Sequence, residues 1–223
     1  MDIERARFNM IEQQIRPWDV LEQSVLESLA RVQRERFVPQ QHVALAFSDL
    51  EIPLTVEGQQ TSESMFSPKV EARFLQALAP KAQDRCLEIG AGSGYMAALL
   101  AHHARHVISV ERLKPLADFA AGNLARAGVT NVEVVQGNGA HLERFGSDQF
   151  NCIALSGSVD AIPVAFTERL APGGRLVAIR GERPVMQAIL VEKSTSGAFI
   201  ETVLFETLCE PLREFPRASR FTF

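Results

Sequence analysis

The sequence predicts an α/β fold: a mostly parallel, twisted sheet with helices on both faces, preceded by a small helical region and finished by antiparallel edge strands. Three observations carry this. From Arg85 onward, apolar and β-branched runs alternate with helical segments, the pattern of parallel strands covered on both sides. The first of these runs, "RCLEIG", opens into glycines at every second position, Gly90, Gly92 and Gly94. The next, "HVISVE", ends in an acid, Glu111.

The elements follow in order. Residues 3–14 and 20–33 space their apolar positions as helices do, and Pro17 breaks the run between them. Asp19 is the expected cap of the second helix, whose buried stripe includes Val25, Leu26 and Leu29. From Phe37 to Pro68 the period is lost, with Pro39, Pro53, Gly58 and a polar "EGQQTSES" between short apolar pieces. So long a stretch without strong secondary structure suits a binding or lid surface, which makes residues 53–68 a candidate active-site segment. A helix is clear from Pro68 to Leu78, with Val70, Phe74, Leu75 and Leu78 on one face.

Strands then alternate with helices: "RCLEIG" with "YMAALLAHHA", "HVISVE" with "LKPLADFAAGNLARAG", then "VEVVQGNG", "FNCIAL", "VAFTERLA" and "PGGRLVAI". "MQAILVEKS" and "AFIETVLFETL" read as antiparallel edge strands joined by a turn at Ser196 and Gly197. The tail, "PLREFPRASRFTF", is mixed, and its aromatics are free to dock on the body. Two regions are expected, a helical and loop region over residues 1–80 and a sheet domain over 81–223.

Composition narrows the partners. The 223 residues carry 23 Lys and Arg against 27 Asp and Glu, a formal charge of -4, so no chain-wide attraction to nucleic acid or anionic lipid is expected. No apolar run reaches membrane-spanning length and "MDIERARFNMIEQQIRP" has no apolar signal core, so the expected location is the cytoplasm. Cys86, Cys152 and Cys209 sit in apolar runs without metal spacing, and His102, His103 and His106 lack a zinc pattern. The cysteines are expected as small buried hydrophobes, and no metal is expected.

The motifs indicate a nucleoside ligand at the carboxyl ends of the strands. The G-x-G-x-G spacing is neither the dinucleotide fingerprint nor a P-loop. Glu88, two residues before the first glycine, would repel a pyrophosphate and complements a ligand bearing an amino or sulfonium cation. Glu111, at a strand end, can accept hydrogen bonds from ribose hydroxyls. Asn138 in "QGNG" offers a donor and an acceptor near an adenine edge, although Asn-Gly is also an ordinary turn pair.

With these residues assembled, the chain resembles S-adenosylmethionine-dependent methyltransferases of Rossmann-like fold, and more closely the protein-L-isoaspartate O-methyltransferase family. The resemblance rests on "LEIGAGSGY", "HVISVER" and "GNLARAGVTNVEVVQGNG", and outside the nucleotide motifs on "MIEQQIR", "RERFVP", "AFSDLEIPL", Gly58-Gln59, "SPKVEARFLQAL" and "LAPGGRLV". It implies S-adenosyl-L-methionine as cofactor. Glu88 with Gly90, Ala91, Gly92 and Gly94 would surround the methionine part, Glu111 and Arg112 would adjoin the ribose, and Asn138 with Gly139 would border the adenine. It also implies a protein or peptide substrate bearing isoaspartate.

This sequence departs from the family pattern where the family has acids at the positions of Asn138 and Asn151. The larger departure puts Phe66 where the family has a serine beside the acceptor carboxylate. Ser64 and Ser67 are the candidate catalytic hydroxyls in its place, with Thr61 and Ser62 as further candidates. Arg16 and Arg36 are possible partners of the acceptor carboxylate, against the plainer role of structural ion pairing. Three readings stay open: an isoaspartyl methyltransferase, a methyltransferase of the same fold with another acceptor, and a cofactor-binding protein without catalysis. The oligomeric state is not legible.

Overall fold

The computed structural model describes residues 2–56 and 58–216. Helix α1 (Ile3–Met10) runs on through a π turn, Ile11–Ile15, and a 3-10 turn, Arg16–Trp18, before α2 (Gln23–Arg31). Met10, Ile15, Val25, Leu26 and Leu29 are buried, so the predicted stripe does face the core. Asp19 is not the cap of α2. It takes a left-handed conformation (φ 58°), its backbone carbonyl accepts from Arg73 and Gln76, and Glu22 stands at the N-cap position. The chain needs a sharp turn after Trp18, and Asp is among the residues that tolerate one.

The segment expected to be an irregular loop is a two-stranded antiparallel hairpin, β1 (Ile52–Val56) and β2 (Gln59–Met65), with Val56 opposite Gln59 and Gly58 at φ 78°. The polar run hid it. Gln60, Thr61, Ser62, Glu63 and Ser64 give no apolar alternation, yet Ile52, Leu54 and Met65 are buried and supply the hairpin's inner face. Helix α3 (Pro68–Leu78) follows, with its predicted face buried.

Next come β3 (Arg85–Ile89), α4 (Tyr95–His103), β4 (His106–Glu111), α5 (Lys114–Arg126), β5 (Val132–Gln136), β6 (Phe150–Val159), α6 (Val164–Glu168), β7 (Leu170–Glu182), β8 (Val185–Lys193) and β9 (Phe199–Glu206). They form one seven-stranded sheet in the order β5-β4-β3-β6-β7-β8-β9, parallel through β7 and antiparallel for the last two. The turn between β8 and β9 is where predicted, with Gly197 at φ 89°. Because β4 and β6 flank β3 while the chain moves outward in both directions, a crevice opens beyond β3, where such sheets take ligands.

One apolar cluster joins α1, α2 and α3 to α4 and one face of the sheet, and a second, around Leu87, Ile153 and Leu176, packs the other face. All three cysteines are free and buried, with Cys86 beside Cys152 on adjacent strands. No helix among the described residues is long and apolar enough to cross a membrane, and no metal-holding cluster occurs among them. In the tail, Phe215 stacks on Phe166 at 5.6 Å, whereas Phe221 and Phe223 lie outside the described residues.

Candidate active site

The crevice beyond β3 is walled by the strand ends on one side and by Leu54, Glu63 and Ser64 of the hairpin on the other. Its floor is the glycine turn, pinned to the neighbouring strand because the Gly90 and Ala91 amides donate to the Val110 carbonyl at 2.8 and 3.2 Å. Gly90 has φ 94°, and a side chain there would press on the Ser156 carbonyl and the Leu212 side chain. Gly90 and Gly92 line the cleft, and Ala91 lines a smaller recess that continues inward. Gly94 has a different reason to be glycine: it caps α4 at φ 83° and lies against Ala120 and Leu124 of α5, a close helix contact rather than a ligand contact.

Glu111 ends β4 and lines the cleft with Arg112. Its two carboxylate oxygens accept from the Gly92 amide at 3.0 Å and the Leu113 amide at 2.9 Å, so one side chain ties the glycine turn to the strand end. Burial raises its pKa against these two bonds. Lone pairs remain on both oxygens for hydroxyl donors.

Glu88 is fully buried at the base of the inner recess, where it accepts from Ser109 Oγ at 2.5 Å and Ser156 Oγ at 3.1 Å. Burial outweighs those bonds and pushes its pKa up to about 8. A carboxyl poised in this way ionises readily when a cation arrives beside it.

Gly139 lines the cleft and packs so closely on Ile89 that no side chain would fit. Asn138 is not on the cleft wall: its carbonyl oxygen accepts from the Ala140 amide, and its amide nitrogen donates to Glu214. Glu214 is a non-glycine residue at φ 65°, a costly conformation that brings its carboxylate to Asn138. Asn151 lies away from the cleft and accepts from the Arg85 amide at 3.0 Å.

The hairpin forms the opposite wall. Ser64 lines the outer cleft, the inner recess and a side opening near Glu51 and Glu210, and its hydroxyl has no hydrogen-bond partner among the described residues. The other hydroxyls are committed or misplaced. Thr61 Oγ1 donates to the Leu54 carbonyl at 2.7 Å, Ser62 donates to Glu63, and Ser67 sits buried at the N-cap position of α3. Phe66 lines the recess beside Ser64 and packs edge-on against Phe74.

Arg34 fixes the foot of this wall. It is fully buried, donates to the Ala46 carbonyl at 3.1 Å and the Phe66 carbonyl at 2.6 Å, pairs with Glu71, and lies over the Tyr95 ring at 5.1 Å. It thereby clasps the chain on both sides of the hairpin. The two arginines expected as carboxylate partners are elsewhere. Arg16 pairs with Glu12 one helical turn away, and Arg36 is exposed at a different cavity, because the turns carrying them point away from the crevice.

Leu54 and Glu63 fall within the predicted 53–68 segment and line the cleft, whereas sequence reasoning missed Ser156, Leu212, Arg213 and Phe215, which line it too. Ser156 was within reach, since it follows the strand run next to β3 at its carboxyl end. The tail residues were not. They arrive because Leu212 and Glu210 pair through their backbones with Ser158, which lays the tail across the crevice.

A glycine turn at the switch of a parallel sheet, an acid at the next strand end and a walled crevice beyond them define a nucleoside-binding α/β enzyme domain. The family profile of protein-L-isoaspartate(D-aspartate) O-methyltransferases matches residues 5–214. A protein-L-isoaspartate O-methyltransferase of Methanoculleus marisnigri is 37% identical over 206 residues, covering 92% of this chain and 90% of its own. The protein-L-isoaspartate O-methyltransferase 2 of Marinobacter nauticus is 38% identical over 189 residues, covering 85% and 82%. This chain belongs to the protein-L-isoaspartate O-methyltransferase family. Its fold is shared with a structure from Plasmodium falciparum, described as a protein-L-isoaspartate O-methyltransferase in complex with S-adenosyl-L-homocysteine, at a TM-score of 0.76 and 19% identity over 96% of this chain and 99% of that one.

Proposed function

We propose that the protein transfers a methyl group from S-adenosyl-L-methionine to the free carboxylate of L-isoaspartyl residues in damaged proteins or peptides, in the cytoplasm. The observation that carries this reading is the family match over nearly the whole chain, hairpin included, together with a crevice whose two walls hold different chemistry.

The residues fit the cofactor. Glycines leave the floor of the crevice bare, Glu111 presents a carboxylate to hydroxyls, and Glu88 offers a latent anion at the inner end. When bound, S-adenosyl-L-methionine supplies an electrophilic methyl carbon on a sulfonium. On the protein's side, Glu88 would ionise to balance positive charge, Glu111 would accept from the ribose hydroxyls, Gly139 would border the base, and Leu212, Arg213 and Phe215 line the same crevice. The acceptor carboxylate is an anion at neutral pH, so no general base is needed and the task is alignment. Ser64 donates its free hydroxyl to that carboxylate and turns it toward the methyl group. Phe66 keeps water from the inner recess. The products would be the methyl ester and, with the sulfur–methyl bond broken, neutral S-adenosyl-L-homocysteine.

A second reading, the same transfer to a different acceptor, is favoured by Phe66 at the recess and by Glu51, Glu63 and Glu210 around the side opening, which suit an anionic substrate poorly. Labelled cofactor offered with matched isoaspartyl and aspartyl peptides separates the two. Base-labile label on the isoaspartyl peptide alone supports the first reading. Cofactor binding without transfer to either peptide rejects it and directs attention to other acceptors.

A further inference from the structure

A second cavity, unconnected with the acceptor cleft, lies near the start of β5, among the C-terminal turns of α2, α4 and α5. Its volume is about 300 Å³, at the lower end of the range for small-molecule sites. Its charged lining residues are Arg31 and Arg36, with no Asp or Glu. That runs against the balance of a chain with more acidic than basic residues.

Both arginines are exposed, and neither guanidinium has a hydrogen-bond or ion-pair partner among the described residues. By contrast Arg7, Arg34, Arg85, Arg175 and Arg183 each hold a carboxylate. Helix C-termini carry partial negative charge, and Arg31 in the last turn of α2 offsets it. That role accounts for neither the cavity nor Arg36, which ends a 3-10 turn. The floor is apolar, built from Phe37, Ala98 and Ala101.

We propose that this cavity binds a small phosphate-bearing molecule, with the Arg31 and Arg36 guanidiniums on the phosphoryl oxygens and the apolar floor under its uncharged part. Two guanidiniums offer more paired donors than one carboxylate can use. A phosphate group brings close to two negative charges and three acceptor oxygens.

The test is calorimetry on the full chain at fixed ionic strength, with inorganic pyrophosphate as the probe and acetate as the carboxylate comparison. The expected result is saturable pyrophosphate binding that weakens at least tenfold in the Arg31→Gln/Arg36→Gln double variant. It should be unchanged in Arg105→Gln, which alters an exposed arginine outside the cavity. S-adenosyl-L-homocysteine binding should be the same in all three proteins, which separates this site from the crevice. Absence of saturable binding, retention of binding by the double variant, or equal binding of acetate overturns the proposal.

Discussion

The two walls of the crevice are held in place by different means. On the cofactor side, strand ends of the seven-stranded sheet carry the groups, and Gly90, Ala91 and Gly92 are bonded to Val110 and Glu111 of the adjacent strand. On the acceptor side a two-stranded hairpin stands apart from that sheet, its pairing shifts register between Pro53 and Thr55, and one buried arginine clasps its foot. Order on the first side is spread over a parallel sheet, and order on the second is concentrated in a few side chains. The walls should therefore break independently.

The largest effect is expected at Arg34. Arg34→Met leaves Glu71 buried without its cation and frees two carbonyls, and chemical denaturation should show a loss of about 3–5 kcal/mol. Adding Glu71→Leu should restore part of it; no recovery would mean that the carbonyl bonds, rather than the ion pair, hold the hairpin.

Glu111→Ala removes the acceptor of two backbone amides and the candidate ribose partner. Calorimetry should find cofactor affinity lowered by about 10-fold to 100-fold, with charged hydrogen bonds contributing roughly 1.5–3 kcal/mol each.

Glu88 gives the crevice a pH dependence. Its pKa rises from an ordinary 4.5 to about 8, so the ligand-free folded protein holds a proton that the unfolded chain releases across that window. Stability of the ligand-free protein should accordingly fall as pH rises from about 4.5 to 8. Binding of a cationic ligand favours the ionised form, so S-adenosyl-L-methionine affinity should climb with pH toward about 8, by roughly tenfold between pH 6 and 8. Glu88→Gln should flatten the profile. A slope that survives the substitution would move the titration to another group.

The smallest effect is expected at Glu214. Glu214→Gln keeps a hydrogen-bonding group beside Asn138 and loses its charge, so cofactor affinity should drop about two- to fivefold, under roughly 1 kcal/mol.

The same contrast explains what was legible in the sequence. The parallel strands, the antiparallel edge, Glu88, Gly90, Gly92 and Glu111 announce themselves through β-branched runs ending in glycine or acid, because a sheet buried on both faces demands that pattern. The hairpin does not, since its outward residues are polar and its inward ones, Ile52, Leu54 and Met65, are too few to set a period. Asp19 misled because a capping residue type can equally serve a left-handed turn. Leu212, Arg213 and Phe215 reach the crevice by tertiary docking across some fifty residues from β6, for which no local signal exists.

The most direct test of the two-wall account is Ser64→Ala. Cofactor affinity by calorimetry should match the unaltered protein, while kcat/KM for an isoaspartyl peptide falls about tenfold or more and Ser67→Ala has little effect. Unchanged kcat/KM in Ser64→Ala, or a parallel loss of cofactor affinity, would contradict it.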